Sequence, residues 1–146
     1  KKNASLKEDS AFLALLKTAG DDPTMRRVQD DFFKKYFFEP AYRTAESIGI
    51  RSPLGIAVVY DSMIHGGWRR LHDMTRKELG GTPATGIDEH LWIKTYLKLR
   101  REWFKNHNNK LLQRLTYRPQ AFLELIDKDN WDLLPPIEIQ GQKITE

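Results

Sequence analysis

Cysteine is absent from all 146 residues, which excludes thiol catalysis, disulfides and Cys-based zinc sites while leaving the compartment open. No uninterrupted apolar run reaches the roughly 18 residues that a membrane span needs, so no membrane partner is expected. The four histidines, His65, His72, His90 and His107, stand in no zincin spacing with carboxylates, and there is no EF-hand loop. A Gly-rich phosphate loop and a nucleophile elbow are missing as well. No metal and no cofactor are therefore expected. Gly80-Gly81 reads as a helix stop. Repeats, low-complexity tracts and a convincing strand pair are also lacking, and the pattern predicts an all-α fold.

What is present is enough for a folded core. Hydrophobic residues make up 40% of the chain, with seven Phe, five Tyr and four Trp, and the length suits one helical domain over 1–146. The net charge of +4 permits nucleic acid, an acidic wall polymer or an anionic surface as partner. No recognition-helix arrangement stands out, so nucleic acid ranks last. Paired carboxylates recur at Glu8/Asp9, Asp21/Asp22, Asp30/Asp31 and Asp88/Glu89, at helix starts or on polar faces, where capping and solvation account for them.

One stretch organises the chain. Ser52-Pro53 is a helix start, with Ser52 as cap and Pro53 at the first helical position, and Gly66-Gly67 is a stop. The run between them is almost wholly apolar, which predicts a buried central helix over about 53–66. It carries one carboxylate, Asp61, and one imidazole, His65, four residues apart and so on one face. An unpaired buried carboxylate is costly, so Asp61 requires a cationic partner. The cations on apolar-faced helices are Arg100 and Arg114. Such a network could equally serve only to fix helix packing.

Elsewhere Ser5-Leu6-Lys7-Glu8 has the pattern of a capping box ahead of Phe12, Leu13, Leu15 and Leu16, with Gly20 as terminator. Asp22-Pro23 opens a helix whose Met25, Val28, Phe32 and Tyr36 step at helical spacing until Pro40 breaks or kinks it. The segment Trp68 to Leu79 reads as a charged helix. Asp88 caps a long one with the apolar stripe Trp92, Tyr96, Leu99 and Trp103, a core face before it is a sugar platform. Lys110 to Asp127 gives one or two further helices, with a restart marked by Pro119. The tail from about 129 to 146 is expected to be extended, because Pro135-Pro136 forbids helix.

These motifs together resemble family 46 chitosanases, helical enzymes of the lysozyme-like superfamily, over the C-terminal two-thirds of that family. Asp22-Pro23-Thr24-Met25-Arg26 with Gln29 is similar to its Asp-Pro-x-Phe-Arg-x-x-Gln helix start. Gly55, Tyr60, Asp61, His65 and Gly66 resemble the Gly, Tyr-Asp and His-Gly positions of its central helix. Tyr96-Leu97 with Arg100, Arg114 ahead of Phe122-Leu123, and Asn130 to Pro136 resemble the remaining pieces.

The resemblance implies a secreted, periplasmic or cell-wall glycoside hydrolase acting on β-1,4-linked amino-sugar polymers, with chitosan or a peptidoglycan-type glycan as partner. It implies that Asp61 bridges Arg100 and Arg114 to brace a catalytic glutamate, with His65 and Tyr60 at the substrate cleft. The family's Gly-rich segment bearing its acid glutamate and water-activating aspartate has no counterpart in the pattern. The chain is thus expected to be the helical lobe without the catalytic pair, its own N-terminal segment being a further partner. The alternative is a non-catalytic wall-glycan binding module on the same scaffold.

Overall fold

Helix after helix begins at a side chain able to accept from the exposed N–H groups of its first turn. The computed structural model describes residues 4–139 and 141–145, and the chain divides into two compact units, 1–39 and 40–146.

In the first unit a short 3₁₀ turn, Ala4–Lys7, precedes α1, Ser10–Ala19. Asp9 caps α1 by accepting from the Phe12 amide at 3.0 Å. The helix therefore starts four residues later than a Ser5 cap would place it. Asp22 caps α2, Pro23–Phe33, accepting from the Thr24 and Met25 amides at 2.7 and 3.1 Å. A π-helical turn, Lys34–Phe38, follows. Pro40 has no N–H and would press its ring on the carbonyl four residues back in a regular helix. The expected break is thus relocated into a wider turn that ends just before the proline. No described side chain of residues 6–39 is buried.

The second unit holds α3, Glu39–Ser47, from its second residue on, and then α4, Pro53–His65; α5, Trp68–Leu79; α6, Glu89–Lys105; α7, Lys110–Gln113; and α8, Tyr117–Asp127. Gly49, at φ +83°, turns the chain between α3 and α4 with its Cα against the Ala84 backbone, where a Cβ would lie 2.4 Å from the Ala84 nitrogen. Its core joins Ala41, Ala45, Leu54, Val58, Leu71, Trp92, Tyr96 and Leu123 with their neighbours. Trp92 and Tyr96 lie within it as core, their rings stacked at 5.5 Å.

The tail differs from expectation. Ile137–Ile139 (β1) and Gln142–Ile144 (β2) form an antiparallel hairpin pairing Ile137 with Ile144 and Ile139 with Gln142. Gly141, at φ +73°, supplies the turn conformation next to β2. Among the described residues no helix is long and apolar enough to cross a membrane.

Candidate functional site

The site is built on α4, and α4 is fixed at its N-terminus by three separate elements. Ser52 caps it, its hydroxyl accepting from the Gly55 amide at 3.1 Å. Glu89, in the first turn of α6, accepts from the Ser52 amide at 2.8 Å, the Ser52 hydroxyl at 2.6 Å and the Arg51 amide at 3.1 Å. The Trp131 carbonyl takes the Leu54 amide at 2.9 Å. Each is an answer to the unpaired donors of a helix start. Gly55 is needed where these parts converge, since a Cβ there would stand 2.7 Å from Ile50 and 2.8 Å from the Ser52 hydroxyl.

Two turns further along, Asp61 points into a gap between α6 and α8. Its Oδ2 accepts from Arg100 Nη1 at 2.6 Å, and its main-chain carbonyl takes Arg100 Nη2 at 3.4 Å. Its Oδ1 accepts from Arg118 Nε at 2.7 Å. Arg100 is fully buried, and the Asp61 side chain is 7% exposed. The Arg100 guanidinium lies over the Phe104 ring, 5.0 Å from its centroid. One carboxylate thus faces two guanidinium groups, and the cluster carries one surplus positive charge.

The sequence pairing is half corrected here. Arg100 is where the burial argument put it, but the second arginine is Arg118, not Arg114. Residues 114–116 form a 3₁₀ turn between α7 and α8, which changes the angular phase of the chain and leaves Arg114 exposed. Arg118, in the first turn of α8, is the residue that reaches Asp61, and its Nη1 also donates to the Tyr117 hydroxyl at 3.0 Å. Nothing in the periodicity separates the two arginines. The usable signal was that Pro119, tolerated only in a first helical turn, places Arg118 in that turn too.

His65 sits one turn after Asp61 and half-buried, its Nε2 3.8 Å from Asp61 Oδ1. Burial, and then the nearby Arg118, hold the imidazole below its ordinary value, with Asp61 acting in the opposite sense. For Arg118 burial works against the charge, but the hydrogen bond and attraction of Asp61 prevail and raise it. Beneath them burial pushes the Tyr96 phenol up to about 12. Tyr60 is partly buried and packs on the core. An opening beside the cluster is lined by Asp61, Tyr117, Arg118, Ala121, Phe122 and Ile139. The arrangement can hold an anionic group against Arg118. Among the described residues there is no group of three or more acidic or histidine side chains placed to hold a metal.

The model of glycosyl hydrolase family 46 matches residues 2–137, and the chain belongs to that family. The chitosanase of Bacillus subtilis strain 168 is 27% identical over 143 residues, 90% of this chain and 52% of its own length. The chitosanase of Gynuella sunshinyii, solved with chitotetraose, superimposes with a TM-score of 0.76 at 32% identity over 87% of this chain and 58% of that one. A mutant chitosanase of Bacillus subtilis MY002, solved with 6 GlcN, shares the fold at a TM-score of 0.79 over 98% of this chain and 62% of that one. The chain therefore spans about half the length of the curated relative and about three-fifths of the solved ones.

Proposed function

We propose that these 146 residues form the helical lobe of a secreted chitosanase-like endo-hydrolase that cleaves β-1,4-linked amino-sugar polymers. In this reading Asp61, Arg100 and Arg118 act as positioning residues. An inverting glycosidase needs two carboxyl groups roughly 6.5–9.5 Å apart, one of them held protonated. The surplus charge of the arginine pair orients such a carboxyl from the outer side of Arg118, and His65 and Tyr60 border the glycan. The single observation carrying the reading is the buried Asp61 with a guanidinium on each oxygen, in a chain of family 46.

A second reading has its own support. Chitosan is a polycation near neutral pH, and a chain of net charge +4 repels it at long range. That charge favours an anionic wall glycan, bound without cleavage. The deciding experiment is a mass-spectrometric time course on glucosamine hexamer and on muropeptides. The chain is incubated alone and together with the unmatched portion of the Bacillus subtilis chitosanase. Shorter glucosamine oligomers in either incubation support the hydrolase reading. Retention of muropeptides with no cleavage of either glycan supports the binding module and overturns it.

A further inference from the structure

Side chains four residues apart on a helix share a face, and α5 carries such pairs in two neighbouring rows. Trp68 and His72 form one row, with ring centroids 5.5 Å apart, and His72 lies 5.9 Å from the Trp92 ring. Arg69 and Asp73 form the other. With Thr44 of α3 and Ile48 just beyond it, these side chains line a hollow of about 300 Å³. All six residues belong to the second unit, and none of them borders the opening at Arg118.

An arginine and an aspartate at this spacing ordinarily pair with each other. Here Asp73 Oδ1 meets His72 Nδ1 at 3.1 Å instead. Among the described residues the Arg69 guanidinium and the Trp68 indole N–H have no acceptor, and His72 Nε2 is buried without a partner. The neighbouring Trp92 indole, by contrast, donates to the Gly81 carbonyl at 3.3 Å. The bland account is a solvent-filled groove where α3 and α5 pack. It explains Thr44 and Ile48, but not the unmet polar groups gathered around one half-buried indole.

The chemistry of the lining selects the ligand. The volume lies at the lower end for small-molecule sites, so it takes a single ring and not a peptide. An indole presents its face to an apolar ring surface. Beside it the Asp73 carboxylate accepts, while Arg69 and the indole N–H donate. Opposite charges side by side give no preference for a simple anion. A saturated ring with an apolar face and a polar rim that both donates and accepts meets every one of these groups, and that is a pyranose. We infer that the hollow is a second glycan-binding site, seating one glucosamine unit with its ring on Trp68, its ammonium on Asp73 and its hydroxyl oxygens on Arg69. The inference rests on the proposed reading of the chain as one that handles amino-sugar polymers. It adds to that reading a place on α5 where the polymer is held apart from the ion cluster.

The test is a proton–nitrogen NMR titration of the chain with glucosamine hexamer, in which Trp68→Phe assigns the Trp68 indole signal among those of the four tryptophans. That signal should shift to saturation, while the signal of Trp131, stacked on His90 outside the hollow, stays in place. Arg69→Ala and Asp73→Asn, both at exposed positions, should each weaken the affinity read at Trp68 about tenfold, the loss of one charge-assisted hydrogen bond. The melting of both variants should match that of the parent chain. Full N-acetylation of the hexamer removes the ammonium and should weaken binding to a similar degree. A Trp68 signal indifferent to the hexamer overturns the inference, and so does an affinity that survives both substitutions. Saturation at Trp68 without glycan cleavage leaves the site standing and removes only the hydrolase reading; cleavage with no response at Trp68 does the reverse.

Discussion

Both units start their helices by the same chemistry, Asp9 and Asp22 in residues 1–39 and Ser52 and Asp88 in residues 40–146. Both also carry apolar residues at helical spacing. Only the second unit converts that pattern into burial, with Trp92, Tyr96, Arg100 and Phe104 wholly hidden on one helix. Capping and periodicity decide where a helix begins and which way it faces. Stability comes from what the face meets.

The comparison can be broken first at its core. Trp92→Ala is expected to destabilise the chain by about 3–5 kcal/mol, whereas Phe33→Ala in the first unit should stay within about 0.5 kcal/mol. Urea melts of both variants check this, and equal losses would erase the distinction. Next, Gly55→Ala forces a methyl against Ile50 and the Ser52 hydroxyl, with an expected loss of about 1–3 kcal/mol. Arg118→Ala should follow at about 1–3 kcal/mol, since it strips a charge-assisted bond from buried Asp61. Arg114→Ala, on an exposed turn, should remain within about 0.5 kcal/mol.

The smallest effect is a pH dependence. His65 is held below its free value of 6.5 in the folded chain. The unfolded chain therefore takes up this proton first as pH falls, and stability declines from about that pH downward to the lowered folded value. Above pH 6.5 the residue contributes no slope. His65→Gln should flatten the acid limb of a melting-temperature profile relative to the parent chain, and an unchanged limb would remove His65 from the account.

Much of this was legible from single residues. Ser52, Pro53 and Gly66 bound the central helix where the structure has it, and the burial of Asp61 calls for cationic partners, of which Arg100 is one. The rest was hidden for physical reasons. Naming Arg114 as the second cation leaves out the 3₁₀ turn at 114–116, after which Arg118 is the arginine that reaches Asp61. The first long helix opens at Asp9, whose carboxylate accepts from the Phe12 amide, four residues past the start that the Ser5 pattern offers. Each strand of the hairpin at 137–144 is three residues long, too short for alternation to show. The stripe Met25 to Tyr36 announced a face, but periodicity does not say what covers it.

The most direct test of the central claim, that Asp61 bridges Arg100 and Arg118, is a double-mutant cycle on unfolding free energy. Its corners are the parent chain, Asp61→Ala, Arg118→Ala and the double variant, with a parallel cycle through Arg114→Ala. Asp61→Ala alone leaves fully buried Arg100 unpaired and should cost about 3–5 kcal/mol. The Asp61–Arg118 coupling should lie at about 1–3 kcal/mol and the Asp61–Arg114 coupling near zero. An Asp61–Arg118 coupling indistinguishable from that of Arg114 would contradict the account.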